Sequence, residues 1–288
     1  MDICYVDGVF QAVNDDGVVV AQSKNREYLK RKLKDTPSTT LVVVKPVEQF
    51  AINDRFDFTE QLVKMVASKQ TASCVITGEG GLGKSYSVIK ALTDSGLADL
   101  SELSPEYSLD GGYYRVVKGY STAKGLYRIL FENQNGILVF DDCDSVLKDP
   151  DALNLLKGAL DSYDKRIITW NTSTNDDDLP RSFEFKGGII FISNLDKDKI
   201  SQAIRSRAMN VDLSMTTDQK IERMETIVRS GSFLPNIPVD QKLDALNIIR
   251  DNADVASEIS LRTLINVAKI RASGNTNWEQ LAKYMMVN

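Results

Sequence analysis

Apolar residues run along this chain in more than one rhythm. Between about residues 57 and 213 the short apolar runs SCVIT, YYRVV, GILVF and GIIFIS alternate with segments whose apolar residues recur at helical spacing. Continuous runs are what strands buried on both faces require, and their alternation with amphipathic helices predicts a mostly parallel sheet with helices on its faces. From residue 215 onward the strand-like runs stop. MTTDQKIERMETIVRS, DQKLDALNIIRDNA and SLRTLINVAKIRA each place apolar residues at helical spacing, with Asp240 and Ser260 standing where helix caps would. At the other end, ICYVDGVFQAV and GVVVAQ flank the turn signal Asn14-Asp15-Asp16-Gly17, and a helix-like segment from Lys24 to Leu33 then precedes the β-rich TTLVVVKPV. The predicted organisation is a small α+β domain at residues 1–48, an α/β core at 49–214 and a helical domain at 215–288.

Composition narrows the chemistry. Among 288 residues there is no histidine, which excludes Ser-His-Asp and Cys-His catalysis, His-ligated metals and a neutral-pH imidazole switch. Three widely spaced cysteines, Cys4, Cys74 and Cys143, predict buried free thiols rather than disulfides. The longest apolar stretches are strand-length, and the N-terminus lacks a basic-then-apolar signal pattern, so a cytoplasmic location without a membrane is expected. The net charge of −5 falls in the middle of the chain, since residues 1–48 carry seven basic and seven acidic side chains and residues 215–288 carry nine of each. An acidic core argues against unaided, non-specific DNA binding. The Lys24–Leu33 segment, with Lys24, Arg26, Lys30, Arg31 and Lys32 against Glu27, reads either as a solvated face or as a contact for nucleic acid or an acidic partner.

Gly78-Glu79-Gly80-Gly81-Leu82-Gly83-Lys84-Ser85 matches G-x-x-x-x-G-K-[ST] between the strand-like SCVIT and the helix-like YSVIKAL. Glycines allow a backbone to wrap phosphates so that successive N–H groups and a helix N-terminus face the anion. Lys84 is then placed for the β and γ phosphates and the Ser85 hydroxyl for Mg²⁺, making ATP and Mg²⁺ the expected ligands. Gly136-Ile137-Leu138-Val139-Phe140-Asp141-Asp142 supplies the carboxylates such a site needs at the sheet's carboxyl edge, Asp141 on the metal side and Asp142 toward the attacking water. Helix capping is the other use of acids there, for Asp144 especially.

With these motifs the chain resembles the AAA+ ATPases from about residue 57 to 288. FISN ending in Asn194 is similar to sensor 1, and AIRSRA to the arginine-finger segment, with Arg207 at the finger position and Arg205 the second candidate. SLRTL resembles sensor 2, with Arg262 as its arginine. The resemblance implies ATP bound between core and helical lid. It also implies hydrolysis completed by a neighbour's arginine, and self-association into a ring or helical oligomer, hexameric in most such proteins. It would extend to remodelling or loading of a protein or nucleic-acid partner, leaning to nucleic-acid metabolism, and the compact size resembles phage or bacterial accessory ATPases. One departure is Asp142, where the family usually has Glu; a shorter acid sits farther from its water, which leaves a slowly hydrolysing adaptor open.

Two segments bear on the partner. RIITWNTSTNDDDLPRSFEFKG reads as a strand, turn and strand, similar to the hairpin before sensor 1 in Clp-type unfoldases and viral superfamily 3 helicases. Its acidic turn Asn175-Asp176-Asp177-Asp178 would repel phosphates, and Trp170 reads as packing. Lys118-Gly119-Tyr120-Ser121-Thr122 lies where translocating members place an aromatic pore loop. Tyr120 is either a grip on a substrate chain or a locally packed ring beside a Gly119 turn and a Thr122 cap.

Overall fold

A computed structural model describes residues 2–6, 9–13, 19–23, 50–102, 112–119, 122–161, 165–170 and 179–287. The chain divides into two compact units, Met1–Phe50 and Ala51–Asn288.

The first unit contains β1 (Asp2–Val6), β2 (Val9–Val13) and β3 (Val19–Ser23) in one antiparallel sheet of that order. ICYVDGVFQAV, read from its apolar content as one strand, is two: Val6 pairs with Val9 and Ile3 with Ala12, so the chain reverses between them. The Asn14–Gly17 turn, the basic Lys24–Leu33 segment and TTLVVVKPV lie outside the described residues.

The second unit opens with α1 (Ile52–Ala67), β4 (Ser73–Thr77), α2 (Lys84–Asp94), β5 (Ala98–Asp99), β6 (Tyr113–Lys118), α3 (Ala123–Glu132) and β7 (Ile137–Asp141). It continues through α4 (Pro150–Leu160), the strands β8 (Ile167–Thr169), β9 (Ser182–Glu184) and β10 (Gly188–Ile192), α5 (Gln202–Arg205) and β11 (Met209–Asp212). Six strands form one sheet in the order β11-β4-β10-β7-β6-β5, every neighbouring pair parallel. The predicted α/β core is therefore present, and β4 sits between β11 and β10 with covered faces on both sides.

Side-chain alternation sorts the sheet's residues. Leu138, Phe140, Ile189 and Phe191 join Leu126, Leu130 and Leu156 of α3 and α4, whereas Val139, Ile190 and Ile192 join Phe56, Val63 and Val88 of α1 and α2. Residues of both sets are buried, which is why these strands read as unbroken apolar runs. Met209–Asp212 gave no such signal: β11 is an edge strand, only half-buried, and β5 has just two residues.

Beyond the sheet, α6 (Thr217–Arg229), α7 (Val239–Asp251), α8 (Leu261–Ala272) and α9 (Trp278–Val287) share their own core, with Met224, Leu246, Ile249 and Leu264 at its centre. Ser260 caps α8 by accepting from Thr263 N, and Thr216 with Gln219 closes a reciprocal cap on α6. Asp240 is not a cap. Pro238 holds that position on α7 and Asp240 stands in the first turn, where a carboxylate still favours the helix N-terminus. Among the described residues no helix is long and apolar enough to cross a membrane.

β8 and β9 pair antiparallel as the hairpin pattern required, while the acidic turn Asn175–Asp178 lies outside the described residues. Trp170 packs against this core with its ring 6.1 Å from that of Tyr127. Burial leaves Cys74 and Cys143 as free thiols and pushes their pKa values up to about 12 and about 11.

Candidate active site

β4 ends at Thr77 and the glycine loop turns the chain directly into α2. Gly78 needs its lack of a side chain twice over: its φ is +132°, and a Cβ there would come within 2.7 Å of the Leu213 carbonyl carbon. Gly83, at φ +94°, sits at the N-cap of α2. Gly80 has no such demand, since a Cβ would meet Asn194 at 3.5 Å, an ordinary contact.

Lys84 opens α2 and is buried. Its ammonium donates to Gly78 O and Glu79 O, both at 2.6 Å, and to Asn194 Oδ1 at 2.9 Å. Burial pushes its pKa down to about 8, against the opposing pull of Asp142, Asp141, Asp144 and Glu79. Two of its three partners are neutral carbonyls on the loop, so an incoming phosphate offers this cation a stronger acceptor.

The carboxylates reach the site from the end of β7. Buried Asp141 accepts from Ser85 Oγ at 2.9 Å and pairs with Lys118 Nζ at 3.2 Å. Asp142 is exposed, with φ +56°, a left-handed conformation that Asp tolerates better than most residues. It accepts from Asn194 Nδ2 at 2.6 Å, so Asn194, just past β10, bridges Lys84 and Asp142. Asp144 does not cap a helix. It accepts from Ser193 Oγ at 2.6 Å and Asn194 N at 3.4 Å, and so holds the Asn194 backbone in place.

A cavity of about 230 Å³ opens over these groups, walled by Gly81, Lys84, Asp141 and Asn194 on one side and by Leu261, Arg262 and Ile265 of α8 on the other. Arg262 is exposed there and makes no ion pair or hydrogen bond among the described residues. A second cavity of about 480 Å³ shares Gly83, Tyr86, Leu261 and Ile265 with the first and runs on between α2 and α6 to Phe233 and Leu234. The helical segment grips the loop at two points: Leu261 N donates to Gly81 O at 2.8 Å, and Lys220 pairs with Glu79.

Among the described residues no three acidic or cysteine side chains converge tightly enough to hold a metal by themselves. One buried carboxylate oxygen beside one hydroxyl is instead a partial, all-oxygen shell, and it fits Mg²⁺, which keeps several waters and takes phosphate oxygens from its substrate.

Arg205 and Arg207 stand at the other edge of the sheet, because β11 begins beside Cys74 near the start of β4. Arg207 Nη1 donates to Ala203 O at 2.8 Å, and its Nε lies 3.5 Å from Asp161 Oδ2. Arg205 Nη1 lies 3.6 Å from Asp198 Oδ1. The structure thus brings Gly78, Gly80, Gly81, Gly83, Lys84, Ser85, Asp141, Asp142, Asn194 and Arg262 together and keeps both arginine-finger candidates apart from them. Sequence reasoning placed Lys118 only in the candidate pore-loop segment and passed over its pairing with Asp141, the Lys220–Glu79 pair and the Asp144–Ser193 contact. Only Lys118 had a usable signal, as a cation ending the strand next to GILVFD. Tyr120 lies outside the described residues, while Thr122 accepts from Gly125 N and caps α3.

A parallel sheet whose glycine loop leaves a central strand, with carboxylates and an Asn at neighbouring strand ends and a helical segment closing over the loop, is the α/β arrangement that the sequence's resemblance led one to expect. The chain belongs to the family of the Enterobacteria phage T4 "Uncharacterized 36.7 kDa protein in nrdC-mobD intergenic region", to which it is 31% identical over 251 residues, covering 80% of this chain and 73% of that one. No family model matches it. Among solved structures, "Structure of C. elegans PCH-2" aligns with 82% of this chain at 12% identity and a TM-score of 0.41, and this chain spans 66% of that protein's length, just under two thirds.

Proposed function

We propose that the protein is an ATPase that binds ATP with Mg²⁺ and hydrolyses it at the interface between subunits of a ring or helical oligomer. The observation that carries this reading is the convergence of Lys84, Ser85, Asp141, Asp142, Asn194 and Arg262 on one cavity, with Arg262 free of any intramolecular partner among the described residues. Lys84 would exchange its loop carbonyls for β and γ phosphate oxygens, and Arg262 would add the second positive charge from the helical lid. Asp141 and Ser85 would hold Mg²⁺, which supplies charge neutralisation across the phosphates. Asp142, oriented by Asn194, would accept the proton of the attacking water, and the nucleoside fits the larger cavity beside Tyr86.

Arg207 cannot serve its own site from the opposite edge of the sheet, so the charge it carries supports hydrolysis in trans. Motion between lid and core would then act on a macromolecular partner, which we assign to nucleic-acid metabolism reached through a protein, given the acidic core. Steady-state phosphate release against protein concentration tests this. Activity per subunit should climb from nanomolar to micromolar protein, and a flat profile would sink the interface model.

A second reading has its own observation. Asp142 is short for its role and already tied to Asn194 at 2.6 Å, which favours slow turnover and an ATP-gated adaptor. ATP retained unhydrolysed for hours by the assembled protein would select that reading.

A further inference from the structure

Both oxygens of Asp141 are engaged within the chain. Oδ1 accepts from Ser85 Oγ at 2.9 Å, and Oδ2 lies 3.2 Å from the Lys118 ammonium. The pair is lopsided: the Asp141 side chain is 5% exposed and that of Lys118 63%. Lys118 ends β6 in register with Asp141 at the end of β7, so adjacent strands set the two side chains next to each other. Asp141 is also the only partner of Lys118 among the described residues. A buried carboxylate is costly without a counter-charge, and a flexible, strongly hydrated ammonium neutralises it while remaining able to leave.

A divalent cation entering with phosphates needs the charge on that carboxylate, and at such distances it repels the ammonium already there. Resting on the nucleotide reading above, we propose that Lys118 is the resident counter-cation of the metal-side carboxylate. Mg²⁺ displaces it from Asp141, and Lys118 thereby sets the Mg²⁺ concentration the site requires. The backbone next to it can accommodate the release: Gly119 has φ +86°, and nothing lies within 4 Å of where its Cβ would be. Metal entry is in this way linked to the strand end leading toward α3.

Mn²⁺ serves as the probe, titrated by electron paramagnetic resonance into protein saturated with a non-hydrolysable ATP analogue, with analogue affinity measured separately in EDTA. Lys118→Met should bind Mn²⁺ about fivefold more tightly than the wild type, and Lys118→Arg should return to within about twofold of it. Analogue affinity in EDTA should agree within about twofold for all three proteins. Hydrogen exchange across Val117 to Gly119 should quicken in the wild type when Mn²⁺ is added, and should already be quick in Lys118→Met. Equal Mn²⁺ affinity in all three overturns the proposal. Weaker binding in Lys118→Met overturns it as well, and would make Lys118 a phosphate ligand. A wild type that binds no analogue in EDTA or in Mn²⁺ overturns the nucleotide reading itself, and this proposal falls with it.

Discussion

Lys84 and Arg262 at the carboxyl edge of the parallel sheet and Arg207 and Arg205 at its amino edge hold their charges in opposite states. At the carboxyl edge, Lys84 rests largely on neutral carbonyls, and Arg262 faces the cavity with no partner among the described residues. At the amino edge, Arg207 lies against Asp161 and Arg205 against Asp198. Cations whose partners are weak or missing mark where an anion is still to arrive. Cations already matched by carboxylates are either structural or must break a contact before they can serve another molecule.

The sharpest way to break this contrast is Arg207→Ala. If Arg207 leaves Asp161 to complete a neighbour's site, turnover per subunit should fall about a thousandfold with nucleotide affinity nearly unchanged, and mixing with Lys84→Ala protein should restore part of it. Unaltered phosphate release would leave the amino edge purely structural. Next in size is Lys84→Ala, which should weaken nucleotide binding about a hundredfold, read by titration of a fluorescent ATP analogue. Its melting temperature should scarcely fall, because the ammonium removed was paying for its own burial.

A pair of alanine substitutions sharpens the account of the loop. Gly78→Ala, which combines a positive φ with a backbone clash against Leu213, should cost about 2–3 kcal/mol in denaturant unfolding, and Gly80→Ala less than about 1 kcal/mol. Similar costs for both would deny Gly78 its special place.

The smallest effect concerns protons. The pKa of Lys84 in the folded protein, about 8, lies below its ordinary 10.5, so between those pH values the unfolded chain binds more protons and stability rises with pH. Bound phosphate should raise that pKa again. Nucleotide affinity should therefore decline above about pH 8, by no more than about tenfold per pH unit, with proton uptake on binding. Calorimetry at pH 8.5 in two buffers of different ionisation enthalpy measures the uptake, and a value of zero would mean that Lys84 stays charged whether or not phosphate is bound.

Much of the core was legible because its physics is local. SCVIT, GILVF and GIIFIS are buried on both faces, and a strand covered on both sides is apolar over most of its length. The glycine loop was legible because few residue types survive a positive φ beside another backbone. β11 was not, since an edge strand with one partner needs little apolar content. Asp144 failed for a different reason: an acid after a strand looks the same in sequence whether it caps a helix or holds the hydroxyl of Ser193, 49 residues away.

The sequence by itself determined the chemical inventory: a phosphate loop, acids at a strand end, an Asn, several arginines and no imidazole. Residue type and short-range spacing are enough for that, because the loop, strand and helix that carry each group are set by neighbours in the chain. Which groups meet was decided only by the tertiary structure. Strand order brought Asn194 between Lys84 and Asp142, in-register pairing put Lys118 on Asp141, and the parallel direction of every strand sent Arg207 to the edge away from the loop. Those contacts span tens of residues or more, and they come from how apolar faces stack and strands pair, which short-range spacing does not record.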